Sequence, residues 1–201
     1  MTDLFADKAA DWDTRPLPQR ISAGVSAALL ARVPLEPDQT VLDFGAGTGL
    51  LTGAIAPKVG SVFAVDTSPA MLAQLTAKLA SSGKVEPVCQ DLLAAPLGRR
   101  VDLIISAMAM HHVQDTAALL RTFFEHLVPG GRVALADLDR EPGDFHPPEV
   151  EGVFHHGFDR DAFTALLRQA GFTDVHFDTA CSVDKDERSY AIFLVTAVRP
   201  Q

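Results

Sequence analysis

The sequence predicts an α/β fold: a Rossmann-like three-layer sandwich with a seven-stranded, mostly parallel sheet and an antiparallel C-terminal hairpin. Short apolar runs alternate with amphipathic segments of helical length, which is the pattern of a doubly wound parallel sheet. A turn with three glycines on alternate positions, residues 45–49, follows the first apolar run. The last two apolar runs, 173–183 and 190–198, are joined by a short charged turn, so they must pair antiparallel.

Seven apolar runs of strand length are predicted as strands. The run at 101–106 is almost continuously apolar, as expected for a strand that is covered on both faces. The first three runs each end in an acidic residue, and parallel strands bring such ends to one edge of a sheet. The predicted strands are residues 41–43, 61–66, 85–91, 101–106, 132–137, 173–183 and 190–198.

Six segments with apolar residues at helical spacing are predicted as helices. Ser68 and Pro69 supply an N-cap and a first-turn proline for one of them. Pro129-Gly130-Gly131 is expected to end the helix before the fifth strand, and Asp159 to cap the last helix. The predicted helices are residues 7–13, 18–33, 50–57, 69–82, 116–128 and 160–170.

Composition bounds the size and the partners of the chain. With 201 residues, 47% of them hydrophobic and 21% charged, residues 1–201 are predicted to form a single domain. The net charge of −9 and the scattered distribution of 17 basic residues oppose a nucleic-acid partner, which requires clustered Lys and Arg. Oligomeric state, monomer or homodimer, stays open.

Cysteine use and the N-terminal residues bear on the compartment. Cys89 and Cys181 lie far apart, which predicts neither a disulfide scaffold nor a zinc site and favours a reducing environment. The N-terminus lacks a basic region followed by an apolar core, and no apolar run approaches the roughly 20 residues that span a bilayer. The expectation is a cytoplasmic protein without a membrane partner.

The glycine turn is the most specific motif. Asp43-Phe44-Gly45-Ala46-Gly47-Thr48-Gly49 differs from a dinucleotide-binding turn because the third glycine comes one residue early, with Leu50 in its place. The stretch resembles motif I of the class I S-adenosylmethionine-dependent methyltransferases. The resemblance implies that Gly45, Ala46, Gly47, Thr48 and Gly49 hold the methionine end of the cofactor. It also implies that Asp43 faces the cofactor's ammonium group, directly or through water, and that the last strand inserts between the fifth and sixth.

Further cofactor residues are expected at the other strand ends. Asp66 lies close to the roughly 20 residues after the first glycine at which an acid can accept from ribose hydroxyls, although NAD would fit that spacing too and Asp66 could simply be an N-terminal helix charge. The resemblance gives Asp91 to the adenine amino group and Leu92 to the ring, while a loop aspartate that caps the next turn is the alternative. Backbone around Ser106 and Ala107 would hold the methionine end. The predicted cofactor set also includes Thr67, Met71 and Gln90.

Two segments are predicted to cover the site. Residues 5–13 look like the N-terminal segment of small-molecule methyltransferases, which implies a helical lid at 1–35 with Trp12 against the cofactor. Alternatively, Trp12 anchors the first helix to the core. Residues 138–158 form a long, proline- and histidine-containing insertion that we expect to fold over the sheet edge and shape the acceptor pocket.

Histidines supply the candidate proton acceptors: His111 and His112 after the fourth strand, and His155 and His156 in the insertion. A neutral imidazole can take a proton near pH 7. No metal is predicted, because adjacent histidines do not easily turn both rings to one ion and no HExxH or carboxylate triad is present.

The sequence is thus interpreted as a methyltransferase that uses S-adenosylmethionine and a small-molecule methyl acceptor. The sulfonium supplies the activation, so the protein would mainly align acceptor, methyl carbon and sulfur in line and keep water out. Two alternatives remain: a nicotinamide-dependent oxidoreductase, and a non-catalytic S-adenosylmethionine-binding protein.

Overall fold

The computed structural model describes residues 3–201, so the first two residues of the predicted lid lie outside it. Seven strands form one sheet, and each overlaps a predicted apolar run. Their bounds are β1 Thr40–Phe44, β2 Ser61–Asp66, β3 Val85–Cys89, β4 Val101–Ala107, β5 Leu127–Leu138, β6 Thr173–Lys185 and β7 Arg188–Val198.

The sheet has the order β3-β2-β1-β4-β5-β7-β6. The first five strands run parallel, and β7 pairs antiparallel with both β5 and β6. The predicted fold class is confirmed, including the position of the last strand between the fifth and the sixth. The order reverses direction between β1 and β4, which is where open α/β sheets bind ligands.

In residues 3–201, five helices cover the two faces of the sheet, and five short 3₁₀ turns lie in the segments that connect helices and strands. None of the helices in the described part of the chain is both long and apolar enough to cross a bilayer. The helices are α1 Pro16–Arg32, α2 Leu50–Ile55, α3 Pro69–Leu79, α4 Thr116–His126 and α5 Arg160–Gln169; the 3₁₀ turns are Ala6–Lys8, Trp12–Thr14, Ala56–Lys58, Ala80–Ser82 and Met110–His112.

Alternation along the central strands divides the core between the two faces. Leu103 and Ile105 of β4 point into a cluster with α1 and α2, whereas Ile104 points into the cluster with α4 and α5. All three side chains are fully buried. Helix α3 packs separately, through Leu72 and Leu75, against the glycine turn and β2. The parallel strands therefore lie between two helical layers.

Three elements differ from their predicted form. The predicted helix 7–13 is two separate 3₁₀ turns. Helix α4 ends at His126, because β5 already begins at Leu127; Pro129-Gly130-Gly131 lies inside that strand and does not end the helix. There β5 bulges, since Val101 pairs with Leu127 but Leu103 pairs with Arg132. The β6–β7 hairpin closes on two residues only, Asp186 and Glu187, both left-handed as in a type I′ turn.

The stretch between β5 and α5 contains no helix or strand, as predicted, but it is pinned in place. Glu141 Oε2 accepts hydrogen bonds from the backbone N–H groups of residues 143, 144 and 145. Tyr190 donates to Asp144 over 2.8 Å, and Lys185 donates to the carbonyl of Phe145 over 2.6 Å. The hairpin β6–β7 therefore holds this insertion at one end.

Helix α1 approaches β6 closely only because residue 24 is glycine. A Cβ at Gly24 would lie 2.6 Å from the Cβ of Cys181, whereas a Cβ at Gly53 in α2 would meet only Leu79, at 3.7 Å. We expect Gly24→Ala to destabilise the fold by about 1–3 kcal/mol through overpacking. Gly53→Ala, the matched control, should stabilise it by roughly 0.5–1 kcal/mol through helix propensity. Urea unfolding of both variants measures this, and a stabilised Gly24→Ala would contradict the packing interpretation.

Candidate active site

The three strand-end acids lie along one edge of the sheet. Asp43 is the penultimate residue of β1, and Asp66 is the final residue of β2. Asp91 follows the end of β3 by two residues. Phe44 pairs with Val65, and Asp66 pairs with Cys89 in the same parallel register. The acids thus belong to the carboxyl ends of three adjacent strands, as the sequence predicted.

The glycine turn is built around three left-handed glycines with different neighbours. Gly45, Gly47 and Gly49 have φ angles of 66°, 55° and 83°. A Cβ at Gly45 would collide with Ala109, at 2.3 Å, and one at Gly49 would collide with Leu75, at 2.8 Å. A Cβ at Gly47 would meet nothing within 4 Å. Gly45 and Gly49 therefore serve packing, while Gly47 presents bare backbone to open space, where a ligand can approach closely.

Asp66 ties the glycine turn to the start of α3. Its Oδ2 accepts from the backbone N–H of Gly47 over 2.7 Å, and its Oδ1 accepts from the N–H of Ser68 over 2.8 Å. Burial raises the pKa of this carboxyl, and the hydrogen bonds from Ser68 and Gly47 oppose the shift. A carboxylate offers about four acceptor positions, so Asp66 keeps capacity for a ligand hydroxyl.

Asp43 is a buried acid, 1% exposed, beneath the same turn. Thr52 of α2 donates a 2.6 Å hydrogen bond to its Oδ2. Burial raises the pKa of Asp43 from 3.8 to about 7; the hydrogen bond from Thr52 lowers it and the charge of Asp66 raises it further. A cation bound beside this carboxyl would favour its ionised form.

The remaining predicted cofactor residues differ in burial and in their hydrogen bonds. Ser106 is buried and donates to the carbonyl of Phe44 over 2.9 Å, which fastens the end of β4 to β1. Asp91 accepts from the N–H of Leu93, as a turn-capping aspartate does, and Leu92 is buried in the α4–α5 side of the core. Ala46, Thr48 and Met71 are buried, Ala107 and Gln90 are half-buried, and Thr67 is exposed.

The segment before α1 crosses the glycine turn. Asp13 accepts from the hydroxyl of Thr48 and pairs with Lys78 of α3. Asp3 accepts from the hydroxyl of Ser68 over 2.9 Å. These contacts come from residues that precede α1, whereas α1 itself packs into the core. Trp12 is half-buried, and its ring lies edge-on to Phe5, with ring centroids 6.1 Å apart.

His111 and His112 occupy the 3₁₀ turn directly after β4. The His111 ring is 1% exposed and its Nδ1 lies 2.6 Å from Asp137 Oδ1, while its backbone N–H donates to Asp137 Oδ2 over 3.2 Å. The Nδ1 of His112 lies 2.7 Å from the carbonyl oxygen of Gly152. Phe5 packs edge-on against His112 at 5.4 Å. The histidine turn therefore lies between the N-terminal segment and the insertion.

His146, which the sequence analysis did not single out, completes this group. Its Nε2 lies 3.2 Å from the Nε2 of His111. Burial lowers the pKa of His112 and that of His146 to about 4, with the neighbouring His111 as the second cause. Both rings are accordingly neutral at neutral pH. Asp137 was missed as well, although its position at the end of β5 repeats the strand-end pattern of the other acids.

The two insertion histidines lie apart from that group. The His155 Nε2 lies 3.0 Å from the carbonyl oxygen of Val113 and 3.1 Å from the hydroxyl of Thr116, so this ring is held by its surroundings. His156 is exposed, with Glu141 at 3.6 Å. The structure brings His111 and His112 to the edge occupied by the glycine turn, and it gives His155 and His156 other partners.

Comparison with known proteins finds methyltransferases among the proteins that this chain resembles. The family described as "Methyltransferase domain" matches residues 15–177. Phosphoethanolamine N-methyltransferase 1 of Arabidopsis thaliana is 34% identical over 150 residues, covering 72% of this chain and 30% of the relative. The chain spans about a third to a half of the length of the first curated relatives that it matches.

Solved structures share the fold over nearly the whole chain. A protein assigned as a methyltransferase, in complex with the Haloferax volcanii Trm112 methyltransferase activator, has a TM-score of 0.84 at 23% identity, with both chains fully covered. N-methyltransferase NodS from Bradyrhizobium japonicum, in complex with S-adenosyl-L-homocysteine, has a TM-score of 0.74 at 16% identity, covering 99% of this chain and 95% of NodS.

The raised pKa of Asp43 predicts that the folded protein loses stability as pH rises. Because the folded pKa of Asp43 is raised above its unfolded value, its contribution to stability is most favourable below about pH 4 and is lost as pH rises toward 7. Relative to wild type, Asp43→Asn should therefore gain on the order of 4 kcal/mol between about pH 4 and pH 7, and no more above that. Urea unfolding at several pH values measures the difference; a difference that is constant with pH would refute it.

Proposed function

The chain belongs to the class I S-adenosylmethionine-dependent methyltransferases, the family of the matched domain, and on that premise we propose that it methylates a small molecule. The observation that carries the proposal is the grouping of Asp43, Gly47 and Asp66 at the carboxyl edge of the sheet. In this proposal the buried acid Asp43 faces the ammonium group of the cofactor, and the open backbone of Gly47 lies against its methionine end. Asp66, which has spare acceptor capacity, accepts from the ribose.

The residues of the glycine turn fit this cofactor on their own chemistry. Gly47 leaves the space that a side chain would fill, and it does so at a left-handed φ. Asp43 is desolvated, so a neighbouring cation relieves the cost of its charge. Asp66 would accept from the ribose hydroxyls, and Asp91 from the adenine amino group. When bound, S-adenosylmethionine supplies a methyl group already activated by the sulfonium.

The acceptor would bind between the glycine turn, the histidine turn and the insertion. The N-terminal segment lies over this region, since Asp13 contacts Thr48 and Phe5 contacts His112. Covering the site excludes water from the reacting centre. A small acceptor fits a region closed by loops, and the net charge of −9 disfavours a polyanion. The Arabidopsis relative is named for a small substrate, phosphoethanolamine, which supports the same substrate class.

Proton removal, where the acceptor requires it, falls to the histidine turn. Asp137 holds His111 by Nδ1, so the Nε2 of that ring, which lies 3.2 Å from the Nε2 of His146, is the atom that would accept a proton. His112 and His146 are neutral neighbours of the same site. His155 is already engaged by Thr116 and Val113, and His156 is exposed, so we assign neither of them this role.

Asp66→Ala tests the cofactor site. Loss of two charge-assisted hydrogen bonds to the ribose should weaken S-adenosylhomocysteine binding by about 100-fold or more in isothermal calorimetry. Asp184→Ala, at an exposed position near the end of β6, is the matched control and should bind as wild type does. Because Asp66 also holds the N–H groups of Gly47 and Ser68, thermal unfolding is followed in parallel. Wild-type affinity in Asp66→Ala would remove the ribose assignment.

The alternative functions are separated by two measurements. Titration of wild type with S-adenosylhomocysteine and with NADH should give heat only for the first, and tight NADH binding would favour an oxidoreductase. Release of S-adenosylhomocysteine from S-adenosylmethionine is then assayed across small amines, carboxylates, phenols and thiols. Acceptor-dependent release is expected. Cofactor binding with no acceptor-dependent release in any class would favour a non-catalytic binding protein.

A further inference from the structure

The residues His111, His112 and His146, here called the histidine cluster, converge from two parts of the chain. His111 and His112 follow β4, whereas His146 comes from the insertion between β5 and α5. One ring nitrogen from each lies within 4.8 Å of one from each of the others. Adjacent histidines do not easily turn both rings to one ion, but the 3₁₀ turn sets the rings of His111 and His112 4.2 Å apart and tilted by 46°.

The outer nitrogen of each ring in the histidine turn already has a partner. The Nδ1 of His111 faces the carboxylate of Asp137 at 2.6 Å, and the Nδ1 of His112 faces the carbonyl oxygen of Gly152 at 2.7 Å. A carbonyl oxygen can only accept, so the Nδ1 of His112 carries its proton; the carboxylate favours the same tautomer in His111. Each ring then presents an Nε2 lone pair. Carboxylate or carbonyl partners behind an imidazole are typical of metal-bound histidines.

The inner spacing also suits one ion. The Nε2 atoms of His111 and His146 lie 3.2 Å apart. Two imidazoles bound tetrahedrally at about 2.0–2.1 Å from Zn²⁺ have their nitrogens roughly 3.3 Å apart. His111 is buried, and His112 and His146 are partly buried, so the cluster is shielded but reachable. Phe5 of the N-terminal segment closes one side of it, at 5.4 Å from the His112 ring.

We propose that the histidine cluster binds one divalent transition-metal ion, Zn²⁺ being the best match, through three imidazole nitrogens, with a fourth position open to an oxygen ligand. Three neutral histidines with an open position are the donor set of catalytic zinc sites, and imidazole also accepts Ni²⁺, Fe²⁺ and Co²⁺. Asp137 and the Gly152 carbonyl would orient the ligands from behind. The alternative for the same geometry is a hydrogen bond between His146 and His111 with no ion.

A bound ion would change how an acceptor is activated; this step rests on the proposed function. A metal-bound imidazole has no lone pair for a proton, so the cluster would no longer act as a base. The ion would instead bind an acceptor hydroxyl or carboxylate and lower the pKa of a bound hydroxyl or water. The favoured methyl acceptors would then be molecules that bind the ion through an oxygen atom.

Calorimetric titration of the chelator-treated full chain with Zn²⁺ tests the site. Wild type should bind one equivalent, and Co²⁺ should give the visible absorption bands of a four-coordinate site. His146→Ala and His112→Ala should each weaken binding by about 100-fold or more. Asp137→Asn should weaken it by about 10–100-fold, as loss of a partner behind a ligand does. His176→Ala, an exposed histidine on β6, is the matched control and should bind as wild type does.

Two outcomes of this titration would contradict the proposed metal site. Absence of stoichiometric binding in wild type, or binding that survives unchanged in both His146→Ala and His112→Ala, overturns it. Circular dichroism of the same metal-free samples shows that the variants are folded. S-adenosylhomocysteine binding is measured in parallel. It also separates the two proposals: zinc binding without S-adenosylhomocysteine binding would sink only the proposed function, and the reverse would sink only the metal site.

Discussion

The carboxylate of Asp66 is the interaction on which the rest of the site depends. It receives one N–H from the glycine turn and one from Ser68, the N-cap of α3, so a single side chain joins β2, the turn and the start of the helix. The turn is also fastened to β2 by the N–H groups of Gly45 and Ala46, which donate to the carbonyl of Val65. These bonds hold the backbone of Gly47 open toward the carboxyl edge. Without them, a loop with three left-handed glycines would have many other conformations available.

The site is maintained at a cost in stability that the core must offset. Asp43 is buried with a raised pKa beside Asp66, whose pKa is raised as well, so two desolvated acids lie under one loop. Such an arrangement is unfavourable for folding alone and is typical of binding sites, where a ligand supplies the missing charge. The N-terminal segment adds to the same region, since Asp13 and Asp3 reach the glycine turn and the start of α3. Cofactor binding and the position of this segment are therefore expected to be coupled.

Most of the fold and half of the site could be predicted from local sequence. The strands, the topology and the glycine turn depend on apolar runs, spacing and turn residues, all of which are visible along the chain. The predicted helix 116–128 runs past the end of α4 at His126, because β5 begins at Leu127. That start depends on the pairing of Leu127 with Val101, which is a tertiary contact. His146 and Asp137 were missed as partners of His111 for the same reason: they lie 35 and 26 residues away in sequence. The expectation of no metal considered the two histidines of the turn without His146, and the proposed metal site departs from that expectation because the fold adds this third ring.

The central claim is that the three strand-end acids and Gly47 surround one molecule of S-adenosylmethionine. A crystal structure of the protein grown with S-adenosylhomocysteine tests it most directly. The account predicts ribose hydroxyls within hydrogen-bond distance of Asp66, the amino group beside Asp43, directly or through one water, and the adenine amino group at Asp91. Nucleoside density elsewhere on the molecule, or ribose hydroxyls bound by other residues while Asp66 keeps only its two backbone partners, would contradict it.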